Sequence, residues 1–198
     1  MFVQVIEGRT TDEAALRRLV ERWDSDVKPG ATGFLGTTAG VSADGTAIAF
    51  VRFVDEAAAG WNQRRPEHAA WWQELTEVLD EPPIVAESAD VAVLLAGGSD
   101  DAGFVQIIRA PSPDRTQIDA LMTAERIAAM QRSRPDLIGS IRVWLEDGSF
   151  IEAAYFTSES AARDAEQSDD YEDAEALFAA AYGPMTFVDL PAPMFLSP

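Results

Sequence analysis

The same short apolar strand occurs twice in this chain. Residues 2–6 read FVQVI and residues 104–108 read FVQII, an offset of 102 residues. An Asp-Gly pair then recurs at 44–45 and 147–148, an offset of 103 residues. Because the offset changes by only one residue across the whole unit, the pattern indicates an internal duplication. The 198 residues are therefore expected to form two copies of one unit.

The first copy predicts a strand, a helix, a β-hairpin, a broken helix and a last strand. Thr10 and Glu13 form a candidate capping box before apolar residues at helical spacing, with Thr10 as N-cap. Asp44-Gly45 is a strong hairpin signal, and Asp55 can cap the next helix. The expected elements are strand 2–7, a helix that Pro29-Gly30 stops, strands 34–42 and 46–54, helix Glu56–Trp61 resuming as Glu67–Leu79, and strand 84–95.

The second copy predicts the same order of elements. Ser112-Pro113 places a capping residue before a proline in the first helical turn, and an apolar stripe from Ala174 to Tyr182 indicates a later helix. Strands are expected near 137–146, 149–157 and 185–190. A flexible linker at 97–103 is expected to join a first unit, 1–96, to a second unit, 104–198.

The β-α-β-β-α-β order is that of a ferredoxin-like unit, whose helices cover only one face of its sheet. The strand over 47–54 is apolar on both faces, and such a sheet needs cover on both. The sequence therefore predicts an α+β fold of two tandem ferredoxin-like units packed sheet to sheet. This intrachain pseudo-dimer is expected to be a monomer or a weak homodimer.

Charge and composition exclude several kinds of function. The chain carries 34 acidic and 15 basic residues, and its net charge of −19 disfavours nucleic acid and anionic membranes as partners. It has no cysteine and one histidine, which excludes thiolate sites and histidine-cluster metal sites. The first residues lack a basic and apolar signal segment, and no apolar run is long enough to cross a bilayer, so a cytoplasmic location is expected.

Three features of the chain resemble one known superfamily. The element order, the interrupted second helix and the segment WNQRRPEH at 61–68 are similar to dimeric α/β barrels, and among them to antibiotic-biosynthesis-monooxygenase-like domains. Here the dimer would be fused into one chain. The resemblance implies a pocket in each unit between sheet and helices. Members include cofactor-independent oxygenases, haem-binding and haem-degrading enzymes and small isomerases, so the fold does not select the reaction.

Aromatic residues and the single histidine concentrate in the first copy. His68 is the candidate acid/base residue or haem ligand, although it also fits a surface histidine near a helix N-terminus. Trp61 and Trp71 fall off the apolar helix face and are expected to line a pocket, whereas Trp72 either packs in the core or forms a wall. The second copy has other residues at these places, namely Asp164, Tyr171, Ala174 and Glu175. This difference predicts one ligand pocket, in the first unit.

Polar residues complete the candidate site. Asn62 and Arg52 could orient a substrate oxygen, and Gln4, repeated as Gln106, either satisfies neighbouring strands or points into a pocket. Haem-degrading relatives use an Asn, a Trp and a His spread over strand and helices, whereas here these residue types cluster on one helix. No cofactor or metal is predicted. The expected partner is a small apolar or aromatic molecule, either oxygenated or isomerised or only bound, with haem binding through His68 as a lesser alternative.

Overall fold

The chain divides into two compact units. The computed structural model describes residues 1–167 and 179–198. Unit 1 comprises Met1–Val91 and Ala192–Pro198, and unit 2 comprises Ala92–Pro191. Each unit has one five-stranded sheet, which confirms the α+β class and the tandem ferredoxin-like arrangement. The predicted sheet-to-sheet packing stays a prediction.

The strands recur in the same order in both copies, with helical segments after the first and the third strand of each. The elements are β1 (Phe2–Arg9), α1 (Glu13–Asp26), β2 (Phe34–Val41), β3 (Thr46–Phe53), α2 (Glu56–Gln63), α3 (Pro66–Val78), β4 (Ile84–Ser88), β5 (Val91–Leu95), β6 (Phe104–Ala110), α4 (Arg115–Leu121), α5 (Ala124–Ser133), β7 (Leu137–Trp144), β8 (Phe150–Phe156), α6 (Glu159–Glu166), β9 (Thr186–Leu190) and β10 (Met194–Leu196). In the first sheet the strand order is β10-β2-β3-β1-β4, and in the second it is β5-β7-β8-β6-β9.

Both hairpins turn on a glycine that the sequence identifies. Gly45 has φ +85° and Gly148 has φ +84°, a left-handed conformation that strains other residues. The central pairs are antiparallel and in equivalent register, since Gln4 lies opposite Val51 and Gln106 lies opposite Ala154. The predicted hairpins of both copies are therefore confirmed.

The predicted last strand of the first copy, 84–95, is two strands. It breaks at Ala89-Asp90, after which β5 joins the second sheet as the neighbour of β7. The short strand β10, which the sequence does not predict, pairs with β2 in the first sheet. The division into units therefore differs from 1–96 and 104–198: residues 192–198 belong to unit 1, and residues 92–103 belong to unit 2.

Two of the three predicted helix caps are wrong. Helix α1 is capped by Asp12, which accepts from Ala15 N at 2.9 Å, because the Thr10 hydroxyl instead donates to Val78 O at 3.1 Å. Helix α4 is capped by Asp114 rather than Ser112. The Asp55 cap of α2 is confirmed by a 2.8 Å hydrogen bond from Ala58 N. Most of the helix predicted over 174–182 lies outside the described residues.

Helices α1 and α3 cover one face of the first sheet. Along β1 and β3, alternate residues such as Ile6, Val51 and Phe53 point to this face, as the period of a strand requires. The apolar stripe of α1 packs there through its buried residues Leu16, Leu19, Val20 and Trp23. In the described part of the chain, no helix is both long enough and apolar enough to span a membrane.

Candidate functional site

A cavity of about 530 Å³ lies in unit 1 between the sheet and helices α1, α2 and α3. Its floor is made largely of short side chains on β2 and β3, which leave space under the helices. This volume is in the range of small-molecule sites, roughly 300–1,000 Å³. The floor residues include Thr37, Ala39, Ala47 and Ala49.

Aromatic side chains from α1 and α3 form the opposite wall. Trp71 meets Trp23 edge-on, with ring centroids 5.1 Å apart, and its Nε1 donates to Leu19 O at 3.0 Å. Trp72 stacks on His68 at 6.0 Å with an angle of 16° between the rings. Trp71, Trp72 and His68 all line the cavity, so the structure brings these three predicted residues together.

His68 is half-buried in this wall. Burial lowers the pKa of His68 below its usual value of 6.5, and the positive charge of Arg65 lowers it further. The imidazole is therefore neutral at pH 7 and able to accept a proton. Within residues 1–167 and 179–198, no group hydrogen-bonds to it, so both ring nitrogens remain available to a ligand.

The lowered pKa of His68 makes stability depend on pH. The unfolded chain binds a proton near pH 6.5, before the folded chain does, so stability is lost as the pH falls from 6.5 through the folded pKa. We expect the urea midpoint of the wild-type protein to fall between about pH 7.5 and 5.5. His68→Leu should show a smaller fall over the same interval. Equal falls in both proteins would contradict the burial of a neutral His68.

Two of the polar candidates also line the cavity. Gln4 Nε2 donates to Glu87 Oε2 at 2.8 Å across the β1–β4 pair, so Gln4 satisfies a neighbouring strand and faces the pocket at once. Asn62 is buried, and its Oδ1 accepts from Arg65 Nη1 at 3.1 Å. The amide of Asn62 is thereby fixed at the cavity wall.

Arg52 and Trp61 do not line the cavity. Val51 and Phe53 face the cavity, so Arg52 between them points to the other side of β3, where its Nε donates to Gly36 O at 3.4 Å. Trp61 is 56% exposed on α2. The expected roles of Arg52 as a substrate-orienting group and of Trp61 as a pocket wall therefore do not match their positions.

Trp23 is a cavity residue that lies in the apolar stripe of α1. It is 4% exposed, and its Nε1 is buried with no hydrogen-bond partner among the residues described. Buried donors are nearly always paired, so this N–H is an exception, and as a buried atom it is not open to a ligand in the cavity. An apolar helical stripe in the sequence contains no signal for such a donor.

The equivalent sheet face of unit 2 is filled by large side chains. At an offset of 103 residues, Arg142 replaces Ala39 and Glu152 replaces Ala49. Arg142 is 2% exposed in its side chain, and its Nε donates to Glu152 Oε2 at 2.7 Å. Bulky aromatic residues stand at two further positions of this face, Trp144 for Val41 and Phe150 for Ala47.

Both members of this ion pair form a further hydrogen bond with a neighbouring side chain. Ser140 donates to Glu152, and Arg142 donates to the hydroxyl of Tyr182. Burial, together with the Glu152 carboxylate, raises the pKa of Tyr182 above its usual range. The two copies have therefore diverged: unit 1 keeps small floor residues and a cavity, whereas unit 2 carries a packed, satisfied polar cluster on the same face.

The chain shares its fold with three solved structures over nearly its whole length. No protein-family model matches the sequence, and neither does any curated protein. The chain aligns over 99% of its length with a candidate monooxygenase from Fusobacterium nucleatum subsp. nucleatum ATCC 25586 (TM-score 0.77, 9% identity, 94% of that chain). It aligns equally far with a candidate monooxygenase from Lactobacillus acidophilus NCFM (0.70, 11%, 99%) and with an anthrone oxidase-like protein (0.66, 13%, 92%).

Haem does not fit the residues of this cavity. A haem carries two carboxylates, which bind most strongly to cationic side chains. In the part of the chain that the structure describes, no lysine or arginine lines the cavity, and Glu87 contributes a negative charge instead. His68 alone would supply an iron ligand, so the cavity favours an uncharged or cationic apolar molecule.

Proposed function

We propose that unit 1 binds a small apolar, aromatic molecule in its cavity. The observation that carries this proposal is the divergence of the two copies: unit 1 keeps a cavity of about 530 Å³ on the face that Arg142 and Phe150 occupy in unit 2. Apolar walls with a few convergent polar groups are typical of small-molecule sites. Trp71 and Trp72 supply flat surfaces on which an aromatic ring can pack.

The proposed chemistry begins with removal of a substrate proton by His68. A neutral imidazole in an apolar cavity is suited to this role. In an isomerisation the proton returns to another carbon. In a cofactor-independent oxygenation O₂ oxidises the carbanion, and one oxygen atom enters the product while the other leaves as water. The monooxygenase and anthrone oxidase-like designations of the fold neighbours support oxygenation.

Binding without chemistry is the second candidate function. Catalytic histidines are normally held by a hydrogen bond to one ring nitrogen, which sets the tautomer. His68 receives no such bond from the described residues. This geometry is equally consistent with a neutral His68 that contacts the ligand without taking a proton from it.

Tryptophan fluorescence tests whether a ligand binds in the cavity. We expect planar aromatic ketones and phenols, with anthrone as the first probe, to quench the emission of Trp23, Trp71 and Trp72. Trp61→Phe is the control, because this exposed residue lies outside the cavity wall and its loss should leave the quenching unchanged. Absence of quenching by every compound would contradict the proposed function.

His68→Gln separates catalysis from binding. If His68 is the base, the variant should bind the probe within about threefold of wild type and lose about 10²–10⁴-fold in turnover, the usual contribution of general base catalysis. Turnover is followed by oxygen consumption and by loss of solvent-exchangeable label from the substrate. Unchanged turnover would exclude the catalytic role, and no turnover in either protein would favour binding alone.

A further inference from the structure

A second pocket of about 390 Å³ adjoins the cavity in unit 1. We name it the outer pocket. It lies between α2 and the β1–β4 edge, where Phe2, Glu56 and Gly60 line it. Gln4, Gln63 and Glu87 line both the outer pocket and the cavity, so one ligand could occupy the two spaces.

Unit 2 holds an arginine side chain at the equivalent place. Arg163 of α6 stands at the position of Gly60 in α2, at an offset of 103 residues. Its guanidinium pairs with Asp189 and lies 3.4 Å from Glu166 and 3.6 Å from Glu159. Its Cζ also lies 5.3 Å from the ring centroid of Phe104. Unit 2 thus supplies its own cation to three carboxylates and an aromatic face.

Unit 1 retains counterparts of most of the groups that surround Arg163, and we call this set of groups the cradle. Gln4 lies opposite Glu87 and Gln106 lies opposite Asp189 in the two strand pairs. The amide donates to the carboxylate in both, at 2.8 Å and 2.9 Å. The other counterparts also line the outer pocket, with Phe2 for Phe104, Glu56 for Glu159 and Gln63 for Glu166. What unit 1 lacks is the cation, because Gly60 has no side chain.

Arg64 is the nearest candidate to replace that cation, yet it does not pair with the cradle. Its Nη1 lies 3.3 Å from where a Cβ on Gly60 would stand, and it lines the outer pocket. It forms no ion pair with a carboxylate in the ranges 1–167 and 179–198. Glu56 and Glu87 therefore outweigh Arg64 in charge, and the outer pocket keeps a net negative charge.

We propose that the outer pocket binds the ammonium or guanidinium group of a small molecule, on Glu87 and the face of Phe2. The cation would take the place that Arg163 takes in unit 2. The apolar part of the same molecule would extend into the cavity, and this part of the inference rests on the proposed function. The ligand class is an aromatic amine or guanidine, in keeping with a chain whose net charge is −19.

Matched ligands test the cation site. We expect 2-(2-naphthyl)ethylamine to bind about tenfold more tightly than 2-ethylnaphthalene, with a preference that falls as salt is added. Glu87→Gln keeps an acceptor for Gln4 and should remove the preference for the amine over the neutral compound. If both compounds bind equally, the cation site is overturned and the proposed function stands. If neither binds, the proposed function is overturned.

Substitution at Gly60 tests the outer pocket independently of the cavity. Methylguanidinium alone should give saturable shifts of the Gly60 and Glu87 amide resonances in the wild-type protein. Gly60→Arg restores the arrangement of unit 2 and should abolish binding of methylguanidinium at Glu87, whereas Gly60→Ala should retain it. A Cβ at this position meets only the flexible end of Arg64, so both variants should fold. Shifts at Glu87 that persist in Gly60→Arg, or are absent in the wild type, would overturn the site.

Discussion

Ala47→Phe is expected to abolish ligand binding in unit 1, weakening affinity by about 100-fold or more. Ala47 is part of the cavity floor, and Phe150 occupies the equivalent position in unit 2. The new ring would take space that an aromatic ligand needs, as Phe150 does among Trp144 and Tyr182. Fluorescence titration with anthrone or the naphthyl compounds measures the loss.

The matched control for Ala47→Phe is Ala70→Phe. Ala70 is exposed on α3 and does not line the cavity, so the same change in size should leave affinity unchanged. Thermal unfolding of both variants establishes that they fold. A folded Ala47→Phe protein that binds the ligand as tightly as wild type would exclude this cavity as the binding site.

Glu152→Ala is expected to destabilise the protein by about 3–5 kcal/mol. The substitution removes the carboxylate that Arg142 contacts at 2.7 Å, while the guanidinium remains buried. It also removes the acceptor for the Ser140 hydroxyl. The free energy of unfolding in urea measures the loss, which should be close to that of a buried charge left without its partner.

A double-mutant cycle identifies the cause of that loss. Arg142→Ala combined with Glu152→Ala should cost less than the sum of the two single variants, because no unpaired charge remains. Unit 1 has alanine at both equivalent positions, Ala39 and Ala49, and folds around a cavity there. Additive costs would mean that packing, rather than charge, dominates the stability of the cluster.

The duplicated elements are predictable because their signals are local. The Asp-Gly turns, the Asp55 cap and the apolar stripe of α1 each specify structure within a few residues. Strand β10 has only three residues, and its pairing with β2 spans more than half the chain. No short-range sequence pattern predicts this pairing. The break of 84–95 is not predicted for a similar reason, because β4 and β5 pair with strands that are distant in the sequence.

The candidate site is predicted in part, and its errors have physical causes. The apolar face of α3 predicts a pocket position for Trp61, but α2 ends at Gln63, so the helical register does not carry across the break. Arg52 lies in a strand that is apolar on both faces, which left its direction undetermined. The unpaired donor of Trp23 depends on surroundings that no sequence pattern encodes.

The pairing of β10 with β2 has a consequence for biosynthesis. Met194 and Leu196 line the cavity, although every other lining residue precedes Ser88. During translation, helices and strands that surround most of the site would emerge long before its final wall. A nascent chain that has released all of residues 1–91 would still hold an incomplete cavity with an exposed β2 edge, where aggregation can start. Ligand binding would thus report that synthesis has passed residue 196, and it could not assist the earlier folding of unit 1.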